Sequence, residues 1–118
     1  MALKVTLTID LKSLVGENEV YNAFRTIANA FAQDAELIVP PHLDRMVAIN
    51  RGNIVLVSWD VDDTITISIT RLSNDRGLLD YIAADVISDV IGIVAKSLNM
   101  DEAKVEDSIV DVDYDAIT

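Results

Sequence analysis

Leu3, Val5, Leu7, Ile9 and Leu11 alternate with Lys4, Thr6, Thr8, Asp10 and Lys12 at the start of the chain. A period of two sorts residues onto opposite faces of an extended chain, so this stretch reads as a half-buried strand. Ser13 to Asn18, with Gly16 inside it, reads as a loop. From Asn18 to Gln33 the period lengthens. Val20, Phe24, Ile27 and Phe31 recur at spacings of four, three and four, flanked by Ala23, Ala28, Ala30 and Ala32. That pattern predicts a helix with one apolar face. Asn18 is placed to cap it, and Glu19 falls in its first turn, where a carboxylate suits the helix dipole.

The middle of the chain reads as a run of strands. Glu36 to Val39 is short and meets Pro40-Pro41, two residues that cannot donate to a ladder. The strand therefore stops there or lies at an edge. Arg45 to Asn50 follows, then a turn at Asn50-Arg51-Gly52-Asn53, where Gly52 is free to adopt positive φ. Ile54 to Trp59 and Thr64 to Leu72 form a pair. In the second of these, Ile65, Ile67 and Ile69 alternate with Thr64, Thr66, Ser68 and Thr70. β-branched residues in that order favour a pleated, one-sided strand.

Ser73-Asn74-Asp75 breaks the strand and offers a cap to a second helix, Arg76 to Leu98. Its stripe of Leu79, Ile82, Val86, Val90, Ile93 and Val94 is widened by Leu78, Ile87, Ile91 and Leu98. Asn99-Met100-Asp101 ends it, and a helical turn is expected over Asp101 to Asp107. Val110, Val112 and Tyr114 then alternate with Asp111, Asp113 and Asp115, an acid-fringed edge strand or ordered tail. Two separated helices around a strand-rich middle predict an α+β fold. The expectation is an antiparallel sheet of four to six strands with two helices packed on one face, a ferredoxin-like variant. It comprises one domain over residues 1–100 and an acidic C-terminal extension over 101–118.

Composition narrows the partners. At 118 residues and 51% hydrophobic, the chain can bury a core. Aromatics are 5%, so that core is aliphatic. With no Cys, disulfide frameworks, zinc ribbons and thiol nucleophiles drop out. The net charge is −11. Residues 1–100 hold 13 acidic and 8 basic side chains, a net of −5, while 101–118 hold 7 and 1, a net of −6. Phosphate backbones and anionic lipids need Lys and Arg, and here these are scattered singly, so neither direct nucleic-acid binding nor membrane binding is expected. The second helix carries Asp80, Asp85, Asp89 and Lys96, which rules it out as a transmembrane span. No secretory pattern opens the chain, and the expected location is cytoplasmic.

One short stretch carries candidate chemistry. Asp60-Val61-Asp62-Asp63-Thr64, after the apolar run that starts the stretch at Val57, resembles the D-x-D-x-T opening of haloacid-dehalogenase-type phosphatases. That resemblance implies a nucleophile at Asp60, a general acid at Asp62 and Mg²⁺ between carboxylates and phosphate. In the family a loop or helix should follow the motif. Here the strand residues Thr64 to Thr70 follow it, and about 54 residues remain, too few for the family's parallel sheet. The competing reading is a hairpin connection whose Asp side chains accept backbone hydrogen bonds. His42, the single histidine, sits in Pro40-Pro41-His42-Leu43, expected as a loop with no nucleophile motif to serve.

The residues therefore point to a non-enzymatic function without a cofactor: a dimeric assembly or regulatory protein-interaction module. Ala84, Ser88 and Gly92 recur every four residues on the second helix and allow close approach of a neighbour. Together with Val110, Val112 and Tyr114 they are the expected homodimer interface. Trp59, Asp60, Asp62 and Asp63 are the expected contact for a cation or a basic protein partner. Two alternatives remain. One is an acidic mimic of nucleic acid that occupies a basic partner, as a viral or phage protein would. The other is a Mg²⁺-dependent phosphatase-like enzyme built on Asp60 and Asp62.

Overall fold

The computed structural model describes residues 2–33, 35, 37–42, 44–50 and 52–117, and for residues 37–42, 50 and 76 the backbone alone. Six strands form one sheet: β1 (Ala2–Asp10), β2 (Leu37–His42), β3 (Arg45–Asn50), β4 (Asn53–Trp59), β5 (Thr64–Leu72) and β6 (Ile109–Ile117). Their order is β2-β3-β4-β5-β1-β6, and every neighbouring pair is antiparallel. Among the described residues three α-helices accompany the sheet: α1 (Val20–Ala32), α2 (Leu79–Leu98) and α3 (Glu102–Asp107). The expected α+β architecture, an antiparallel sheet with helices packed on it, is therefore the observed one. A ferredoxin-like chain places two strands between its helices, whereas here the four strands β2 to β5 stand between α1 and α2.

The period-two pattern decides which face the helices cover. Val5 pairs with Ile69, Leu7 with Ile67 and Ile9 with Ile65 across β1 and β5, and all six are buried. Val55 and Val57 of β4, with Met46 and Ala48 of β3, continue the same face. Against it α1 lays Val20, Ala23, Phe24, Ile27, Ala28 and Phe31, over β3 and β4. Helix α2 lays Ala83, Val86, Val90, Val94 and Ala95 over β1 and β5. The alternate residues Lys4, Thr6, Thr8 and Asp10, with Thr64, Thr66 and Thr70, form the opposite, polar face. There Thr6 Oγ1 and Ser68 Oγ share a hydrogen bond at 3.0 Å.

Several boundaries differ from the sequence reading: α1 starts at Val20 instead of Asn18, and α2 at Leu79, after a 3-10 turn, instead of Arg76. Asn18 does not cap α1: it lies inside a single 3-10 turn, Glu17–Glu19, that leads into the helix without a side-chain cap. Of the two outcomes expected at the prolines the second is observed: the strand does not stop at Val39 but runs to His42. It does so as the edge strand β2, where a missing N–H is tolerated, and the register slips between Val39 and His42. His42 is consequently a strand residue opposite Arg45, not a loop residue. Other stop signals act as read. Gly52 takes φ +81 in the β3–β4 turn. Asp75 accepts the Gly77 N–H at 2.9 Å in the 3-10 turn before α2. Asn99 takes the left-handed conformation after α2. Its N–H reaches the Lys96 carbonyl at 3.2 Å, and the Met100 N–H reaches Ala95 at 3.0 Å. That is the Schellman pattern, which satisfies the last helical carbonyls.

Candidate functional site

The DVDDT stretch is the β4–β5 hairpin loop, and Thr64 and Thr66 hydrogen-bond two of its three carboxylates. The Asp63 N–H donates to the Asp60 carbonyl at 3.1 Å, and the Asp60 N–H donates to the Thr64 carbonyl at 2.9 Å. Asp63 takes φ 61. This is a type I turn followed by a left-handed residue, a common hairpin closure. Asp60 Oδ2 accepts from the Thr66 hydroxyl at 2.7 Å and from Thr64 at 3.3 Å, while Asp62 Oδ1 accepts from Thr64 at 2.8 Å. The Thr64 hydroxyl, followed by a backbone N–H, holds the Asp62 carboxyl below its ordinary pKa. Among the described residues, no group of three or more His, Cys, Asp or Glu side chains converges as metal ligands would. The two threonines thus engage one oxygen each of Asp60 and Asp62.

Trp59 lies on the helix-covered face, opposite Ile65. Its ring sits 5.3 Å from Tyr21 and 6.3 Å from Phe24, centroid to centroid. These distances suit aromatic pairs. Its indole Nε1 is buried without a partner among the described residues. Trp59 therefore closes the end of the core. Val61, at the loop tip, stands fully in solvent.

The other candidates meet on a different side. By register, Val112, Tyr114 and Ala116 of β6 share the helix-covered face with Leu7, Val5 and Leu3, and Asp111, Asp113 and Asp115 share the polar face with Thr8, Thr6 and Lys4. Val110 falls where the β1–β6 register shifts, between the partners of Thr8 and Ile9, and is exposed. Helix α2 packs on β1 and β5 and stands off from β6. The gap is a groove of about 560 Å³ lined by Leu3, Leu79, Asp80, Ala83, Ala84, Ile87, Tyr114 and Ala116. Tyr114 in this groove is 54% exposed. A second, shallower groove of about 410 Å³ lies between α2 and α3, along Ala84, Ile87, Ser88, Ile91, Glu102 and Glu106.

The small-residue stripe is thus divided. Ala84 and Ser88 are exposed and line these grooves. Gly92 is not directed at an external neighbour: a Cβ built there would come 3.2 Å from Glu102 Oε1 of the chain's own α3. Leu79, Ile87 and Ala116 belong to the groove and were legible only as core or tail residues. Their apolar character is the same in both settings, and it is the stand-off of α2 from β6 that exposes them.

No helix among the described residues is long and apolar enough to cross a membrane. No protein-family model matches the chain, and no curated protein matches it.

Proposed function

We propose that this chain is a non-enzymatic protein-interaction module, an assembly or regulatory subunit, and that it makes contact through the α2–β6 side. The observation that carries this reading is the groove between α2 and β6, lined mainly by apolar side chains together with Asp80 and Tyr114, and flanked by a sheet edge that is open among the described residues. Apolar concavities of 300–1,000 Å³ are where proteins take up ligand or partner groups. The DVDDT loop supports no rival of equal weight, because Thr64 and Thr66 already engage its carboxylates.

A homodimer is the simplest assembly that would cover Ala84, Ser88 and the groove. Light scattering distinguishes it from a complex with a different protein. A solution mass of twice 12.9 kDa, returned to monomer by Ala84→Arg, makes the partner a second copy. A monomeric chain whose native complex is lost on Ala84→Arg makes the partner a different protein. Retention of every native complex in Ala84→Arg overturns the surface. Mg²⁺-dependent hydrolysis of a phosphate ester that disappears in Asp60→Asn overturns the non-enzymatic reading.

A further inference from the structure

The groove has a second property that its apolar lining alone does not reveal. Among the described residues strand β6 pairs with β1 on one side only, so along its other side alternate backbone N–H and C=O groups face outward without a ladder partner there. The register shift at Val110 disturbs the first residues of the edge, leaving Asp111 to Ile117 as a regular run. On that run the two faces differ sharply. Asp111, Asp113 and Asp115 are exposed on the polar face. Val112, Tyr114 and Ala116 lie on the other, where Tyr114 and Ala116 open directly into the groove.

Resting on the reading of this side as the contact surface, we propose that β6 accepts an added antiparallel strand from a basic partner protein. Side chains directly opposite across an antiparallel pair share a face and approach within about 4.5–5.5 Å. Residues of the added strand facing Asp111, Asp113 and Asp115 are therefore Lys or Arg. The residues between them are apolar and enter the groove beside α2. Main-chain hydrogen bonds supply affinity in such strand addition, and pockets for alternate side chains supply specificity.

Charge selects this occupant over a second copy at the edge. A two-fold antiparallel pairing that continues one sheet maps the polar face of β6 onto the polar face of its mate. Every such register centred between Asp111 and Asp115 sets aspartate against aspartate, and like charges directly opposite are destabilising. An acid row that served only to keep edges apart would explain the aspartates, but it would not require a groove beside them. A mimic of nucleic acid would likewise need the charge and not the groove.

The test uses three synthetic peptides and the full chain. The first alternates, Lys-Val-Lys-Leu-Lys-Val-Lys. The second holds the same seven residues in blocks, all lysines first. The third is the alternating peptide N-methylated at every second amide. The alternating peptide is expected to bind about tenfold more tightly than its block isomer and to slow hydrogen exchange at outward-facing amides of β6. N-methylation removes that advantage. Asparagine at positions 111, 113 and 115 weakens alternating-peptide binding and its salt dependence. Equal affinities for the two isomers, or exchange at β6 unchanged by the alternating peptide, overturn strand addition. The outcome is separable from the broader reading: if the peptides fail but Ala84→Arg still dissociates the native complex, the interaction module stands and the added strand does not.

Discussion

Gly92→Ala should stabilise this protein. Gly92 lies inside α2, where glycine costs roughly 0.5–1 kcal/mol relative to alanine because its unfolded chain has more freedom to lose. The opposing term is steric and local. An added Cβ would lie 3.2 Å from Glu102 Oε1, closer than ordinary contact by a few tenths of an ångström. That oxygen is the far end of an exposed side chain in the first turn of α3, so it can swing aside at little expense. The backbone term wins, and the expected gain is about 0.5–1 kcal/mol. An unfolding entropy of about 2.1 cal/mol/K per residue gives about 0.25 kcal/mol/K for 118 residues. The melting temperature should then rise by about 2–4 °C, read by calorimetry or circular dichroism at fixed concentration. Light scattering on the same samples should show no change in mass, because the missing Cβ faces the chain's own α3. A destabilised variant would mean that Glu102 is held in place. A variant that loses mass would refute the intramolecular account of Gly92 and restore it to an interface.

Three further outcomes check other parts of the structure. Gly52→Ala should cost about 1–2 kcal/mol in urea unfolding despite the open space around it, because only the positive φ of 81° opposes the methyl group; a neutral result would deny that backbone conformation. Trp59→Phe, which keeps the ring contacts with Tyr21 and Phe24 but removes an unpartnered N–H, should stay within about 1 kcal/mol of the parent, against about 3 kcal/mol for Trp59→Ala. Equal losses in the two variants would reveal a partner for the indole. The lowered pKa of Asp62 contributes stability above the ordinary carboxylate range, and that contribution is lost as pH falls through the lowered value. Thr64→Val should move the Asp62 titration upward in carboxyl-resolved NMR; an unmoved titration would mean that the Thr64 hydroxyl is not its cause.

Alternation and helical spacing, which depend only on neighbours along the chain, were enough to locate the elements. Leu3 to Ile9, Ile65 to Ile69 and the stripe from Val20 to Phe31 each declare a face, and each declared face is buried. Turn chemistry was legible for the same reason: Gly52, Asp75 and Asn99 act within a few residues of themselves. The strand after the DVDDT loop was also legible locally, and it supplies the Thr64 and Thr66 hydroxyls to Asp62 and Asp60. Pro40 and Pro41 were ambiguous because their tolerance depends on whether a neighbour strand needs their N–H, and only the position of β2 at the sheet edge answers that.

The candidate surface is a tertiary product. Gly92 looks the same in sequence whether another copy or α3 approaches it, and only the turn after α2 brings Glu102 back over that position. Leu79, Ile87, Tyr114 and Ala116 are apolar by composition, but whether they close into the core or line an open groove depends on how far α2 stands from β6. That gap separates elements distant in sequence, and no local periodicity encodes it. Local pattern sets which residues seek burial, and the packing of α2 over β1 and β5, with β6 at the edge, sets which of them stay open to solvent.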